Sequence, residues 1–253
     1  MTENIAQLNN KKHLAYQLHH YVQEIIDLFY PPRCVNCGKI GESICISCLE
    51  RIERINPSTC HICGTTINPT NKCCRCSDNI DGINGIFSLG IYKGVLKKAV
   101  IAIKYARNRN LAHKLIPLLS SLPCCQQWSI DLVVPIPTSA NRKRARGYNQ
   151  AEWIAKEFCL SNNLQFKPQA LYKIKDTRSQ VGLSIKERVI NVKDAFCALN
   201  ELVSSKKVLI IDDVITTGAT LHSAAKVLKS AGAKMVYGLT IAHAVTIQDH
   251  QNI

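Results

Sequence analysis

Residues 208–220 read Val-Leu-Ile-Ile-Asp-Asp-Val-Ile-Thr-Thr-Gly-Ala-Thr, with two adjacent carboxylates, Asp212 and Asp213, just ahead of hydroxyls grouped around one glycine. Neighbouring carboxylates can accept hydrogen bonds from the vicinal hydroxyls of a ribose, or hold a divalent cation through oxygen ligands. Thr216, Thr217, Gly218, Ala219 and Thr220 then lead into a helical pattern with Leu221, Ala225 and Leu228 at apolar positions. Gly218 lets the backbone come close to a phosphate, and the threonine hydroxyls and unpaired N–H groups of the helix start can surround it. This is a site for a sugar carrying a phosphate. Neither a Walker loop nor a Gly-x-Gly-x-x-Gly turn precedes the helix, so the common nucleotide-binding patterns are excluded here. Aspartates that only cap a helix would account for one carboxylate, not for two followed by Thr-Thr-Gly-x-Thr.

A second chemistry lies in the cysteines. Nine of the 13 fall between Cys34 and Cys76, as Cys34-x-x-Cys37, Cys45-x-x-Cys48, Cys60-x-x-Cys63 and Cys73-Cys74-x-Cys76. Each C-x-x-C pair places two thiolates on one turn, and two pairs complete a tetrahedral zinc–S₄ site. Gly38 and Gly64 directly follow two of the pairs, where tight knuckle turns call for positive φ. Four such pairs in one segment argue against a redox dithiol, and a reducing setting argues against disulfides. The simplest assignment gives Cys34, Cys37, Cys45 and Cys48 to one ion and Cys60, Cys63, Cys73 and Cys76 to a second; spacing alone leaves an interleaved pairing open. Four thiolates leave no open coordination position, so these would be structural ions that supply folding energy. Cys124, Cys125, Cys159 and Cys197 lack ligand spacing and are expected to be buried small apolar residues.

The elements that position these groups can be read from periodicity. Leu14, Leu18, Val22, Ile25, Ile26 and Phe29 recur at helical spacing and Pro31-Pro32 ends the pattern. Strands are expected at residues 86–92, 131–136, 208–211 and 235–241, with helices over 95–107, 111–119 and 151–160. A basic loop should follow Pro137, and the polar Asp176–Ser184 stretch is expected to be mobile. Strands alternating with helices imply an α/β fold with a mainly parallel sheet and helices on both faces. In such sheets ligands bind at the carboxyl ends of the strands, where both the acidic turn and the basic loop fall.

Of the 253 residues, 46% are hydrophobic and 20% charged, which excludes a disordered chain. No apolar run approaches the roughly 20 residues of a membrane span. Residues 1–12 are polar and no signal-peptide core follows, so a cytoplasmic protein is expected. The net charge of +14 is uneven: residues 1–80 carry 8 Lys+Arg against 7 Asp+Glu, the remainder 24 against 11. No acidic residue occurs between Gly82 and Ile130, and Arg142, Lys143, Arg144 and Arg146 form a second basic cluster. Such charge suits a polyanionic small molecule, a nucleic acid, or both. His113, His222 and His243 show no partner pattern and read as structural or surface residues. Tyr92, Tyr105 and Tyr148, near basic residues, could stack on a base, but core or rim packing is the better explanation for any one of them.

The acidic turn resembles the ribose-5-phosphate loop of type I phosphoribosyltransferases, which bind phosphoribosyl pyrophosphate (PRPP). The resemblance becomes more specific with the cysteine knuckles after Phe29-Tyr30-Pro31-Pro32, Val134-Pro135-Ile136-Pro137, Arg146-Gly147-Tyr148-Asn149-Gln150, and Arg178-x-Gln180-x-x-Leu183 with Arg188 and Asn191. Together these are similar to the ComF family over residues 28–243. That resemblance implies an N-terminal helix (1–30), a double zinc-ribbon domain (31–80) and a type I phosphoribosyltransferase-like domain (81–253). It implies that Asp212 and Asp213 meet the ribose hydroxyls directly or through Mg²⁺, and that residues 216–220 hold the 5-phosphate. Arg144, Arg146 and Gly147 would bind pyrophosphate, while Lys175, Arg178 and Gln180 would belong to a loop closing over the ligand. The family is associated with uptake or use of external DNA, which implies single-stranded DNA and competence-machinery proteins as partners. Its implied chemistry is displacement of pyrophosphate from PRPP; a sensor or DNA-binding adaptor without turnover is the alternative.

Overall fold

The computed structural model describes residues 31–55, 82–106, 108–175, 185–192 and 194–244. The helix expected over Leu14–Phe29, the cysteines from Cys60 to Cys76 with Gly64, and the Asp176–Ser184 stretch lie outside the described residues. In chain order the elements are α1 (Ile46–Glu50), β1 (Gly85–Ile91), α2 (Gly94–Tyr105), α3 (Arg109–Ser120), α4 (Pro123–Gln127) and β2 (Leu132–Pro135). Next come α5 (Ala140–Arg146), α6 (Gln150–Asn162), β3 (Gln165–Phe166), a 3₁₀ turn (Pro168–Ala170), β4 (Leu171–Lys173) and α7 (Ile185–Val192). The chain closes with β5 (Phe196–Ala198), α8 (Asn200–Val203), β6 (Lys207–Ile215), α9 (Ala219–Ser230) and β7 (Met235–His243).

Strands β1, β7, β6, β2 and β3 lie side by side in that order, and every neighbouring pair is parallel. Val208–Ile211 is apolar without interruption because β6 is covered on both faces, as parallel strands generally are. The strand runs beyond Ile211, where the sequence pattern ends it, because β7 keeps pairing with it: Asp212 lies opposite Thr240 and Ile215 opposite His243. One face of the sheet packs on α2, α3 and α6 through Leu96, Val100, Ile103, Leu111, Leu115, Ile154 and Phe158. The other packs on α9 through Leu221, Ala224, Ala225 and Leu228, together with Leu171 and Phe196 of an antiparallel β4–β5 pair. That pair has no counterpart in the sequence reading, because strands of three residues are too short to show a period.

The basic loop expected after Pro137 is corrected to a helix, α5. Ser139 caps it by accepting from Arg142 N–H at 3.4 Å, and Gly147 ends it in the left-handed region at φ 80°. Arginine, lysine and alanine are good helix formers, so this bracketed run is locally consistent as helix. Asn149 then caps α6 by accepting from Ala151 N–H, while its amide donates to the Ile136 carbonyl at 2.9 Å. That bond fixes the start of α6 to the exit of β2.

The cysteine-bearing segment is not a separate globule. Cys34, Ile44, Cys45, Cys48 and Ile52 belong to the same apolar cluster as Leu89 and Leu96 of the sheet layer. Its exit strap lies along β1: Ile91 N–H donates to the Glu53 carbonyl at 2.8 Å, and the Arg54 guanidinium donates to the Leu89 carbonyl at 3.3 Å. A Cβ on Gly90 would come within 2.5 Å of the Glu53 carbonyl oxygen. Gly90→Ala is therefore expected to destabilise the protein by about 2 kcal/mol in chemical denaturation, since backbone rather than a flexible side chain must move. A wild-type denaturation midpoint in that variant would show that the strap does not bear on β1.

Candidate functional site

The chain leaves β2 toward β3 on one side and leaves β6 toward β7 on the other. The crevice between the carboxyl ends of β2 and β6 is thus the topological switch point, the place where open parallel sheets bind ligands. It holds a cavity of about 360 Å³, a volume suited to a small phosphorylated ligand. Asp212, Asp213, Thr216, Gly218, Ala219 and Thr220 line it, joined from other elements by Tyr92, Lys104, Arg142, Asn149, Gln150 and Lys173.

The two carboxylates differ. Asp213 is buried: its Oδ1 accepts from Val214 N–H at 2.8 Å, and its Oδ2 accepts from the Gln150 amide at 3.1 Å and faces Lys104 Nζ at 3.3 Å. It fastens α2 and α6 to the end of β6. Asp212 is half-buried and accepts from Asp213 N–H at 2.8 Å. Burial, reinforced by the charge of Asp213, pushes its carboxyl up to about 8. Asp212 is therefore largely protonated at pH 7, while Lys104, Arg142 and Lys173 bring positive charge to the same cavity. The balance is positive, as a polyanion requires.

Gly218 adopts φ 75° at the start of α9, and a Cβ there would lie 3.1 Å from the His222 ring. Both the conformation and the space call for glycine. Gly218 offers the 12-residue α9 no side-chain cap, and Gly218, Ala219 and Thr220 at its start line the cavity, where an anion gains from the helix dipole. Thr217 is not part of the cavity wall; its hydroxyl takes the Ala219 N–H at 3.4 Å. Arg144 and Gly147 are exposed and do not line the cavity, because α5 turns Arg142 inward instead. The Arg146 side chain and Arg178 lie outside what the structure describes.

Lys104 and Gln150 are the functional neighbours that sequence reasoning missed. Leu96, Val100 and Lys104 follow at intervals of four on α2, the first two fully buried. A lysine continuing an apolar stripe was the available signal, since an amine there needs a partner. Tyr92 also faces the cavity, and burial pushes its phenol up against the pull of Lys104. Tyr148, by contrast, is a packing residue: it is buried and its one O–H is shared between the carbonyls of Ile103 and Lys104, at 2.9 and 2.8 Å. Of the histidines, His243 is buried in β7, His222 abuts Gly218, and His113 faces Glu157 at 3.3 Å on the surface.

In the head, the sulfurs of Cys34, Cys37, Cys45 and Cys48 all lie within 4.8 Å of one another. Cys37 and Cys45 Sγ are 3.7 Å apart, against about 3.8 Å for the edge of a tetrahedron with zinc–sulfur bonds of about 2.3 Å. The donor set fits zinc. Burial opposes ionisation of Cys34, yet hydrogen bonds from the backbone around Cys37, Cys45 and Asn36 hold its thiol down to about 6. The Asn36 amide donates to Cys48 Sγ at 3.3 Å, the kind of outer contact that orients a ligand. Gly38, directly after Cys37, has the positive φ (78°) expected of a knuckle. Among the remaining cysteines Cys124 and Cys159 are buried as expected, whereas Cys125 and Cys197 are only half-buried.

The double zinc ribbon domain family matches residues 25–77, and the phosphoribosyl transferase domain family matches residues 126–252. This chain belongs to the phosphoribosyl transferase domain family, as a homologue of competence protein F. Its likeness to competence protein F of Haemophilus influenzae is 27% identity over 229 residues, covering 85% of this chain and 99% of that protein. DNA utilization protein YhgH of Salmonella typhimurium is 29% identical over 76% of the chain and 87% of its own length. Competence protein ComFC of Bacillus subtilis is 26% identical over 77% and 81%. In this competence protein F homologue the acidic turn and the cavity fall within the phosphoribosyl transferase match, and Cys34–Cys48 within the zinc ribbon match. No helix among the described residues is long and apolar enough to cross a membrane.

Proposed function

We propose that this protein binds PRPP or a closely related phosphoribosyl ligand in the β2–β6 crevice, together with Mg²⁺, and serves the handling of single-stranded DNA taken up by the cell. The observation that carries the reading is the acidic pair set above a glycine-opened helix start at the switch point of the sheet. Asp212, free of the ties that hold Asp213, faces the ribose hydroxyls and would hold Mg²⁺ when the ion is bound. Asp213 orients Lys104 and Gln150 around them. Residues 216–220 receive the 5-phosphate, and Thr217 shapes that turn. Arg142 stands where a pyrophosphate group would extend, Arg144, Arg146 and Gly147 would add to its binding, and Arg178 would favour departure of that group. If turnover follows, an acceptor lone pair forms the new bond at the anomeric carbon while the carbon–oxygen bond to pyrophosphate breaks, its electrons leaving with pyrophosphate. Cationic side chains near the departing group favour that charge separation. Mg²⁺ would neutralise charge on the diphosphate.

The head holds a structural zinc through Cys34, Cys37, Cys45 and Cys48, with Cys60, Cys63, Cys73 and Cys76 as a second set. Reduced thiolates in such number suit the cytoplasm. The names of the relatives, competence and DNA utilization, support the DNA role and make competence-machinery proteins its natural partners. Calorimetric titration with PRPP and Mg²⁺ tests the site: wild type should bind, and the Asp212→Asn/Asp213→Asn double variant should lose about a hundredfold in affinity, since one change removes the carboxyl that faces the ribose and the other unseats Lys104 and Gln150 around it. Equal heats for both proteins would refute the reading. Pyrophosphate release with trial acceptors then separates turnover from binding.

A further inference from the structure

The side of the molecule next to the cavity carries an arrangement that ligand binding in the crevice does not use. Arg109, the first residue of α3, holds its guanidinium carbon 4.2 Å from the centre of the Trp153 ring. Tyr148 stacks on the same ring at 4.0 Å and an interplanar angle of 5°. Two groups that close to one ring cannot share a face, so they form three layers, with buried Tyr148 innermost and exposed Arg109 outermost. Tyr148 is itself fixed by its one O–H, shared between two carbonyls at the end of α2. The outer guanidinium is thus held in place before any partner arrives, which lowers the ordering cost of binding. Tyr105, four positions earlier at the end of α2, is 62% exposed. Lys143 and Arg144 are exposed on α5; Lys143 also lies 3.8 Å from Glu152. α5 is the helix whose Arg142 lines the cavity, and Lys104, beside Tyr105, reaches Asp213 within it.

We propose that this face binds single-stranded DNA, with bases stacking on Tyr105 and on the outer plane of Arg109 and phosphates meeting Lys143 and Arg144. The inference rests on the DNA-handling reading above and gives it a surface. A solvated basic face would need neither an exposed tyrosine nor an arginine held over a tryptophan ring. Together with adjacent cations these are the elements of a single-strand platform, since every unpaired base offers a π-face. Duplex DNA hides those faces. The path ends at the rim of the phosphoribosyl cavity, so a bound strand and a bound ligand would be neighbours.

Fluorescence anisotropy of 5′-fluorescein dT20 with the full, zinc-loaded chain between 50 and 300 mM NaCl tests the proposal. Tyr105→Ala should weaken binding about tenfold with the salt dependence unchanged, and Tyr105→Phe should restore it. Arg109→Lys keeps the charge but loses the plane, so affinity should fall at constant salt slope. Lys143→Gln with Arg144→Gln should instead reduce the slope of log K against log salt by about 1.4. PRPP titrations of Tyr105→Ala and Arg109→Lys should match wild type. Wild-type affinity in Tyr105→Ala and Arg109→Lys would overturn the surface while leaving DNA handling intact. Absence of dT20 binding in the wild type would overturn both. Equal losses toward heparin, or tighter binding of rU20 or of duplex, would likewise overturn it, because stacking of single-stranded DNA would not then be what the face recognises.

Discussion

Raising the pH from 6 to 8 is expected to tighten Mg²⁺-dependent PRPP binding about fiftyfold, because the carboxyl of Asp212 must lose a proton before it can face a cation. With that carboxyl near 8, about 1% is ionised at pH 6 and about half at pH 8. The ligand-free protein should respond in the opposite direction. An acid whose folded value lies above its unfolded value binds more protons when folded, so its contribution to stability is intact below about 4. It is lost as the pH rises toward about 8 and changes little beyond. Asp212→Asn should therefore raise the thermal midpoint of the empty protein at pH 8 by a few degrees, flatten its pH dependence, and abolish the pH-linked gain in affinity. Asp213→Asn should instead lower the midpoint at every pH, since it removes the partner of Lys104 and Gln150. Calorimetric titration at three pH values and thermal scans of both variants provide the check. Parallel behaviour of the two would mean that the carboxylates share one role.

Cys45→Ser should cost more than about 4 kcal/mol of stability for the whole protein, not for the head alone, given apparent zinc affinities of about 10–16 kcal/mol in small metal-folded domains. The reason is geometric: Cys34, Cys45, Cys48 and Ile52 are buried in the same cluster as Leu89 and Leu96. A loosened knuckle therefore uncovers the sheet layer. Cys159→Ser, a buried cysteine remote from the knuckles, is the control and should keep its zinc. Denaturation followed with metal content decides the matter. Two separate transitions, with the sheet domain melting at the wild-type midpoint, would show that the head is only an appendage.

Long-range order was legible where one residue type repeats over enough positions. Val208–Ile211 announces a strand covered on both sides, and the Asp-Asp and Thr-Thr-Gly-x-Thr succession locates the crevice because its chemistry is contiguous in the chain. The cationic half of the site was not contiguous. Lys104, Arg142 and Lys173 come from α2, α5 and β4, and only the sheet order brings them to one cavity. Within the Arg142–Arg146 run, which arginine turns inward depends on helical phase, and a segment read as loop has no phase to use. That is why Arg144 was favoured over Arg142. The four cysteines were legible as a set because a metal imposes its own spacing, yet nothing in their spacing showed that they would join the core of the neighbouring domain.

The strap at Glu53 and Arg54 also bears on how the chain is made. Ser88 of β1 finds its buried partner Thr240 of β7 152 positions later. At roughly 5–20 residues per second of synthesis, β1 waits on the order of 10–30 s for that neighbour. During this interval one long side of an apolar strand would stand open on the ribosome, an invitation to pairing with other nascent chains. The cysteine head is translated first, and its carbonyl at Glu53 already meets Ile91 on the opposite side of that strand. A metal-folded N-terminal segment thus acts as an early guard, leaving a single free flank for the last strand to close.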